Sequence, residues 1–403
     1  MEFGIDPLER LKMGVSFSVS TEICETPLYH TRLFKFVKTR EKETCIKFAM
    51  STYWTSPRQS LTVEEKPLAH AGGEGQVHRI TSPSLYRDAC VKIFHPQQRT
   101  EQRRQKIEAM IRDSPPELSG GTYRICWPQE LVYLQNKFVG FVMPLAFSDS
   151  VQVYELCQIR SKLPSPWPEK FDRRKRDGIE KRLKLCVNIA IAIHKIHSFG
   201  NYTLVDMKPQ NMLVTKDGKV SLIDLDSIQI AKHLRVVHPG QVATPEYVPP
   251  EGKYLDPVKD YIPNTWDRFS MAVMFYEIIF GLHPFAATSL GDYASCTMIR
   301  EKIQHGLFVH GGKSERYIKR PFPPAHDNFK RIPHPLRMLF LKAFEGGEEH
   351  PELRPTAEEW GKEMTRILKT RPEKPLLTPV SVSSEDEIFS SAVKKWLRKI
   401  LRW

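Results

Sequence analysis

The chain has 403 residues, 40% of them apolar and 27% charged, a balance that excludes collagen-like, wholly disordered and multi-span membrane proteins. That length suits one large two-lobed domain with extensions, or two or three small domains. Lys and Arg total 60 against 47 Asp and Glu, and the net charge of +13 points to an anionic partner, with plain solubility as the alternative reading.

The cysteines, at 24, 45, 90, 126, 157, 186 and 296, are odd in number and nowhere spaced Cys-x-x-Cys. They argue against a zinc ribbon or a disulfide scaffold and for a reducing compartment. The opening residues, MEFGIDPLERLKMGV, carry acids and have no long apolar core, so no secretory signal is read there. The most apolar stretch, 271–281, is too short to cross a bilayer and is interrupted by Glu277. A cytoplasmic protein is expected.

In chain order, residues 1–62 read as an N-terminal extension of unassigned role, with 33–50 suggesting two short strands around a charged turn. Residues 63–143 are strand-like, broken by a helix over 100–112 that stops before the turn Asp113-Ser114-Pro115-Pro116. Residues 144–370 become mostly helical from about Arg182: 182–197 has apolar residues at helical spacing, and 269–280 (FSMAVMFYEIIF) is apolar on nearly all sides, as a buried helix is. A small β-rich part followed by a larger α-rich part predicts an α+β fold of two lobes with a cleft between them. The connection over 148–181 is rich in Pro, Arg and Lys. Its run Arg173-Arg174-Lys175-Arg176 reads as a solvated helix face, with docking of an acidic substrate as the alternative. No aromatics interleave with it, so specific nucleic-acid binding is not expected. His194 and His197 share a helix face, but no third ligand stands near, so they read as structural.

Residues 371–387 are a Pro/Ser-rich linker and 388–403 (IFSSAVKKWLRKILRW) a basic amphipathic tail. Val393, Trp396, Leu397, Ile400 and Leu401 form one apolar stripe. A helix this short is marginal alone in water, so it is expected to dock on the chain's own body, on a partner protein or peripherally on an anionic membrane.

One segment carries chemistry. Asp206 is followed by Lys208 and Asn211, and Asp224 ends the strand-like run thirteen residues later, all within nineteen residues. Phosphoryl transfer needs a carboxylate to accept the hydroxyl proton, a cation near the transferring group, and an amide and a carboxylate oxygen to hold a divalent ion on the phosphates. These four side chains supply those parts.

This segment resembles the catalytic loop and metal-binding motif of eukaryotic-type Ser/Thr protein kinases. Other stretches resemble the same family, over roughly residues 64–368. His70-Ala71-Gly72-Gly73-Glu74-Gly75-Gln76-Val77 resembles the glycine-rich phosphate loop, with His70 in place of its first glycine. Ala89-Cys90-Val91-Lys92 resembles the strand whose lysine pairs with α/β-phosphates. The resemblance implies a bilobal kinase fold, ATP with Mg2+ (or Mn2+) as cofactors, and a protein substrate. It implies catalytic roles for Asp206 and Lys208 and metal binding by Asn211 and Asp224. ATP contacts are implied for Gly72, Gly73, Gly75, Val77 and Lys92, with Glu108, preferred over Glu101, as the helical partner of Lys92. The resemblance also implies Met143 as the gate of the pocket and Leu145 or Ala146 as the source of the hinge N–H, because Pro144 has none. Thr244 through Glu251 resembles the end of an activation segment, Asp267 a brace of the catalytic loop, and Arg354 the partner of Glu251. Lys208 and Thr244 favour Ser/Thr over Tyr as acceptor.

A narrower resemblance, in AGGEGQVHRI, CVKIFHPQQRT and LIDLDSIQI, is to bacterial kinases associated with tellurite resistance and helix-hairpin-helix modules. It implies a cognate phosphatase as a partner; the helix-hairpin-helix module is not found in the chain. Two departures stand out. Leu204-Val205 replaces the His-Arg before the catalytic aspartate, so no arginine there receives a segment phosphate. Asp226 replaces a glycine and adds a carboxylate near the metals. An active kinase is the reading, with a nucleotide-binding pseudokinase scaffold in a stress-response or signalling system as the alternative.

Overall fold

Alternating side chains build the small lobe. In the computed structural model, which describes residues 52–69, 73–160 and 162–370, strands β1 (Tyr53–Thr55), β2 (Ser60–Val63), β3 (Gly75–Ser82) and β4 (Ala89–Phe94) enter a closed barrel. The strands read over 33–50, residues 70–72 with Gly72, the linker 371–387 and the tail 388–403 lie outside the described residues. Helix α1 (Glu101–Arg112) follows, capped by Thr100, whose side chain accepts the N–H of Arg103. Then come β5 (Tyr123–Ile125), β6 (Glu130–Leu134) and β7 (Lys137–Pro144). The barrel runs β1-β2-β3-β4-β7-β6, and Leu61, Ile80, Val91, Val132, Val139 and Val142 fill it. On the outer side Phe94, Phe138 and Phe141 pack together under Ile107 and Met110 of α1.

The small lobe therefore begins about ten residues before the boundary at 62/63 expected from the sequence. Tyr53 pairs with Leu61, and Trp54 with Tyr133, which closes the barrel. Both strands are short and are separated by the polar turn Ser56-Pro57-Arg58-Gln59, so no alternation long enough to read marks them.

The large lobe is built on α2 (Arg176–His197), α3 (Thr265–Phe280) and α4 (Ala357–Thr370). Helix α3 is buried nearly all round, as its composition predicts, and stops at Gly281, whose φ of +90° is a conformation glycine adopts without strain. The basic run leading into α2 is solvated at Arg174 and Lys175, but not throughout. Arg174 is exposed and pairs with Asp172, but Arg173 turns inward. It donates to Ile279 O at 3.1 Å and Gln158 O at 2.8 Å, and also to Leu156 O. Arg182 donates to Ile278 O at 2.6 Å and Leu156 O at 2.7 Å. The negative end of α3 and its unsatisfied carbonyls draw both guanidinium groups in.

Two small sheets carry the remaining strands: β8 (Ser150–Gln152), β10 (Met212–Thr215) and β11 (Val220–Leu222) with β5, and β9 (Tyr202–Thr203), β12 (Gln229–Lys232) and β13 (Arg235–His238). Among the described residues no helix is long and apolar enough to cross a membrane. Cys90, Cys126, Cys157, Cys186 and Cys296 are buried free thiols.

Three histidines sit neutral in the large-lobe core. His326 Nε2 lies 3.1 Å from Ala286 O, which can only accept, so Nδ1 accepts the Tyr276 hydroxyl proton at 2.7 Å. The Tyr276 oxygen then accepts from His310 Nε2 at 3.0 Å, and His283 Nε2 donates to Glu246 O at 2.9 Å. Burial pulls His283 and His310 down to about 3 and His326 to about 4. The unfolded chain, with ordinary imidazoles, binds more protons below pH 6.5, so stability is complete above that pH and lost as pH falls toward 4. Together they remove up to about 4 kcal/mol per pH unit in that window. Thermal melting should stay level from pH 8 to 7 and fall steeply from 6 to 4.5; a flat profile would show that these rings protonate freely in the fold.

Candidate active site

The loop carrying Asp206 leaves β9 and is clamped by one carboxylate. Asp267, in the first turn of α3 and fully buried, accepts the Leu204 N–H at 2.7 Å, the Val205 N–H at 3.0 Å and His197 Nε2 at 2.9 Å. His197 is thus a structural partner. Trp266 Nε1 donates to Val205 O at 3.0 Å. The clamp is needed because Val205 has φ +65°, a left-handed conformation that costs a β-branched residue about 1–3 kcal/mol. Its side chain, 1% exposed, packs on Ile262 and Trp266.

The clamp presents Asp206. Its Oδ2 receives Lys208 Nζ at 2.6 Å, and its Oδ1 receives the Thr244 N–H at 2.8 Å and the Thr244 hydroxyl at 2.7 Å. Lys208 Nζ also donates to Thr244 Oγ1 at 2.9 Å. The sequence-predicted base, its cation and the activation segment thus meet in one triangle.

Asn211 donates its amide to Asp206 O at 3.0 Å, which turns its side-chain oxygen away from that bond. Pairing of Met212 with Leu222, and of Ile223 N with Asn211 O at 3.0 Å, brings Asn211 and Asp224 out at the same end of the β10–β11 hairpin. Both line a small recess with Asp206, Met207 and Ser227. An amide oxygen and a half-exposed carboxylate form a hard-oxygen donor set, which fits Mg2+ and equally Mn2+.

Lys92, on β4, is 5% exposed. Its Nζ lies 2.5 Å from Asp224 Oδ1, 2.6 Å from Asp226 Oδ1 and 3.7 Å from Glu74 Oε2. Burial pulls its pKa down, but Asp226 and Asp224 more than offset this and hold the ammonium charged. Asp226 is likewise raised by burial but held below the usual carboxylate range by Lys92, Arg103 and Lys106.

Glu108 does not partner Lys92. It is exposed and pairs with Arg104 at 3.2 Å, as does Glu101 at 2.7 Å. Neighbours in sequence point about 100° apart on a helix, so Glu108 beside buried Ile107 faces away. The inward positions are 103, 106, 107 and 110. Arg103 donates to Glu74 Oε1 at 2.8 Å and to Asp226 Oδ2 at 3.4 Å, and Lys106 to Pro239 O at 2.9 Å. Burial pulls Lys106 down to about 8.

Two glycines serve the sheet. A Cβ on Gly75 would sit 2.3 Å from Ile93 O, so this glycine is required by the approach of β3 to β4. Gly73 has open space. Gly140, which sequence reading passed over, lies where a Cβ would meet Lys92 O at 1.9 Å; a glycine inside a strand pattern was its signal. Val77 pairs with Lys92, and Met143, buried, pairs with Cys90. Of the two candidates for a hinge N–H, Leu145 is spent on Asp88 O at 2.9 Å. Arg354, 1% exposed, grips Glu251 with two bonds of 2.6 and 2.7 Å.

A family model for the protein kinase domain matches residues 153–363, just over half of the chain, and the chain belongs to the protein kinase family. Two proteins called protein kinase YegI, from Escherichia coli O157:H7 and Escherichia coli K12, are 26% identical to it over 298 residues, 72% of this chain and 42% of theirs. The serine/threonine-protein kinase MRCK gamma of Mus musculus is 34% identical over 104 residues, 25% of this chain and 7% of its own length. The chain thus spans about two fifths of the length of the Escherichia coli relatives. The matched segment begins after the small lobe, which is assigned here from its barrel and from Lys92.

Three substitutions test this geometry. Asp267→Asn sets an amide against the Leu204 and Val205 N–H groups and should cost about 2–4 kcal/mol in chemical denaturation, since hydrogen bonds to a charged group contribute about 1.5–3 kcal/mol each. In a phosphotransfer assay Glu108→Ala should change the rate less than about threefold, whereas Lys92→Ala should lower it by about 10²-fold or more. Equal losses in the two would restore Glu108 to the site.

Proposed function

We propose that this chain is an ATP-dependent kinase that transfers the γ-phosphoryl group to Ser and Thr hydroxyls of proteins. The observation that carries the reading is the triangle of Asp206, Lys208 and Thr244. ATP, bound with its divalent ion, supplies the phosphoryl group and a leaving group whose charge the ion neutralises. Asn211 and Asp224 would hold the ion. Asp206 accepts the proton of the incoming hydroxyl. Lys208 sets a positive charge beside the transferring group, and Thr244 fixes the carboxylate and ties it to the segment on which substrate lies. Lys92 orients the phosphates, and Ala146 offers the hinge hydrogen bond.

The apolar seat of Val205 gives a segment phosphate no cation to meet, so this kinase does not depend on segment phosphorylation for activity. A second reading, a nucleotide-binding pseudokinase scaffold, draws on the double engagement of Lys92 by Asp224 and Asp226. The resemblance of AGGEGQVHRI, CVKIFHPQQRT and LIDLDSIQI to the tellurite-resistance branch supports a role for the proposed kinase in a stress response beside a cognate phosphatase. The sequence of 388–403 supports docking to an anionic membrane or a partner protein, from the cytoplasm.

Incubation with radiolabelled ATP, Mg2+ and generic protein substrates should yield phosphoserine and phosphothreonine without phosphotyrosine. Asp206→Asn should lower the rate by about 10²–10⁴-fold, the range expected of a general base. Phosphatase treatment beforehand should leave the initial rate unchanged. Stabilisation by Mg2+–ATP without any transfer would establish the scaffold instead.

A further inference from the structure

We propose that Arg103 and Asp226 form the link that couples helix α1 to Lys92, with the carboxylate supplied by the metal motif and the cation by the helix. Both are positioning residues, acting on the nucleotide phosphates through Lys92. The proposal rests on the kinase reading for the role of Lys92.

A buried ammonium needs a permanent counter-charge. Helix α1 does not supply it: its inward positions near the site carry Arg103 and Lys106, and its carboxylates, Glu101 and Glu108, face solvent with Arg104. Of the two aspartates on Lys92, Asp224 is half-exposed and belongs to the donor set for the divalent ion. Its bond to Lys92 is the exchangeable one. Asp226 is 2% exposed and its oxygens are already divided between Lys92 and Arg103; with Glu74 and Asp224 it stands close enough to share an ion, and the link assigns it to Lys92 instead.

The two oxygens of Asp226 are divided. Oδ1 takes Lys92 at 2.6 Å and Oδ2 takes Arg103 at 3.4 Å. The carboxylate therefore bridges strand β4 to α1. Arg103 makes a second bridge through Glu74, at 2.8 Å, in the phosphate loop, and Glu74 itself lies 3.7 Å from Lys92. The guanidinium is held flat by Gln98 Oε1 at 3.0 Å and by the Phe94 ring, 4.7 Å from its centroid. A planar fork suits such a divided role, and an ammonium does not. One turn further on, Lys106 reaches Pro239 O in the activation segment. The same face of α1 thus holds the phosphate loop, the strand lysine and the activation segment.

The test is a double-mutant cycle on the full chain with Arg103→Met, Asp226→Asn and the pair, plus Arg103→Lys. Two quantities are read: affinity for the non-hydrolysable analogue AMP-PNP with Mg2+, by calorimetry, and kcat. Each single variant should weaken AMP-PNP binding about tenfold and lower kcat about tenfold or more, with thermal melting confirming the fold. The double variant should be no worse than the poorer single one, because both remove one link. Arg103→Lys should recover part of the loss. If Asp226→Asn does not fold, the cycle is run with Glu74→Gln, whose carboxylate is less buried. Losses that multiply in the double variant overturn the link, as does wild-type binding and turnover in Arg103→Met, or tighter AMP-PNP binding in Asp226→Asn. If the wild type transfers no phosphate, the kinase reading fails, and the affinity cycle alone still decides the link.

Discussion

A positive charge buried in a protein must be answered, and the ammonium of Lys92 sets the terms for the cleft. It sits on a strand that its neighbours approach closely because Gly75 and Gly140 leave no Cβ in the way. Its answer comes from three carboxylates on two other segments: Glu74 before β3, and Asp224 and Asp226 after β11. The ends of the small-lobe barrel and of the large-lobe hairpin are thereby drawn to one point. Charge balance is local, with Lys92, Arg103 and Lys106 facing three carboxylates, so the cluster needs no distant compensation.

The loop bearing Asp206 is governed by a different constraint. Its backbone is bent through a conformation that valine disfavours, and the bend lasts because a buried aspartate, a tryptophan and an apolar pocket hold it together. Strain of this kind fixes a side chain where regular structure would let it turn. It also ties the loop to the first turn of α3, and so to the centre of the large-lobe core.

Features carried by local pattern were legible in the sequence. The buried helix α3, the helix α1 and the strands around Asn211 and Asp224 follow from periodicity and spacing, and the members of the Asp206 triangle from the family resemblance. Features decided by distant contacts were not. Glu108 looked well placed because it adjoins Ile107, yet helical phase turns it outward and brings Arg103 in. Gly75 was read as room for phosphate, whereas the carbonyl of Ile93 requires it. Arg173 sits in a basic run that looks solvated, but its partners include carbonyls about a hundred residues away, which no local pattern records. β1 and β2 were too short to show an alternation, and only the closure of the barrel defines them.

The anchoring of Arg173 and Arg182 has one further consequence. Their acceptors, among them the carbonyls of Leu156, Phe171 and Ile278, belong to the main chain. Every residue type offers the same carbonyl, so changes of side chain at those acceptor positions leave the bonds in place. The donor side has no such freedom, because only a guanidinium spans several carbonyls at once. Selection at this junction therefore acts differently on its two sides: packing in the core governs which apolar side chain stands at the end of α3, while hydrogen bonding itself holds the two arginines to their identity.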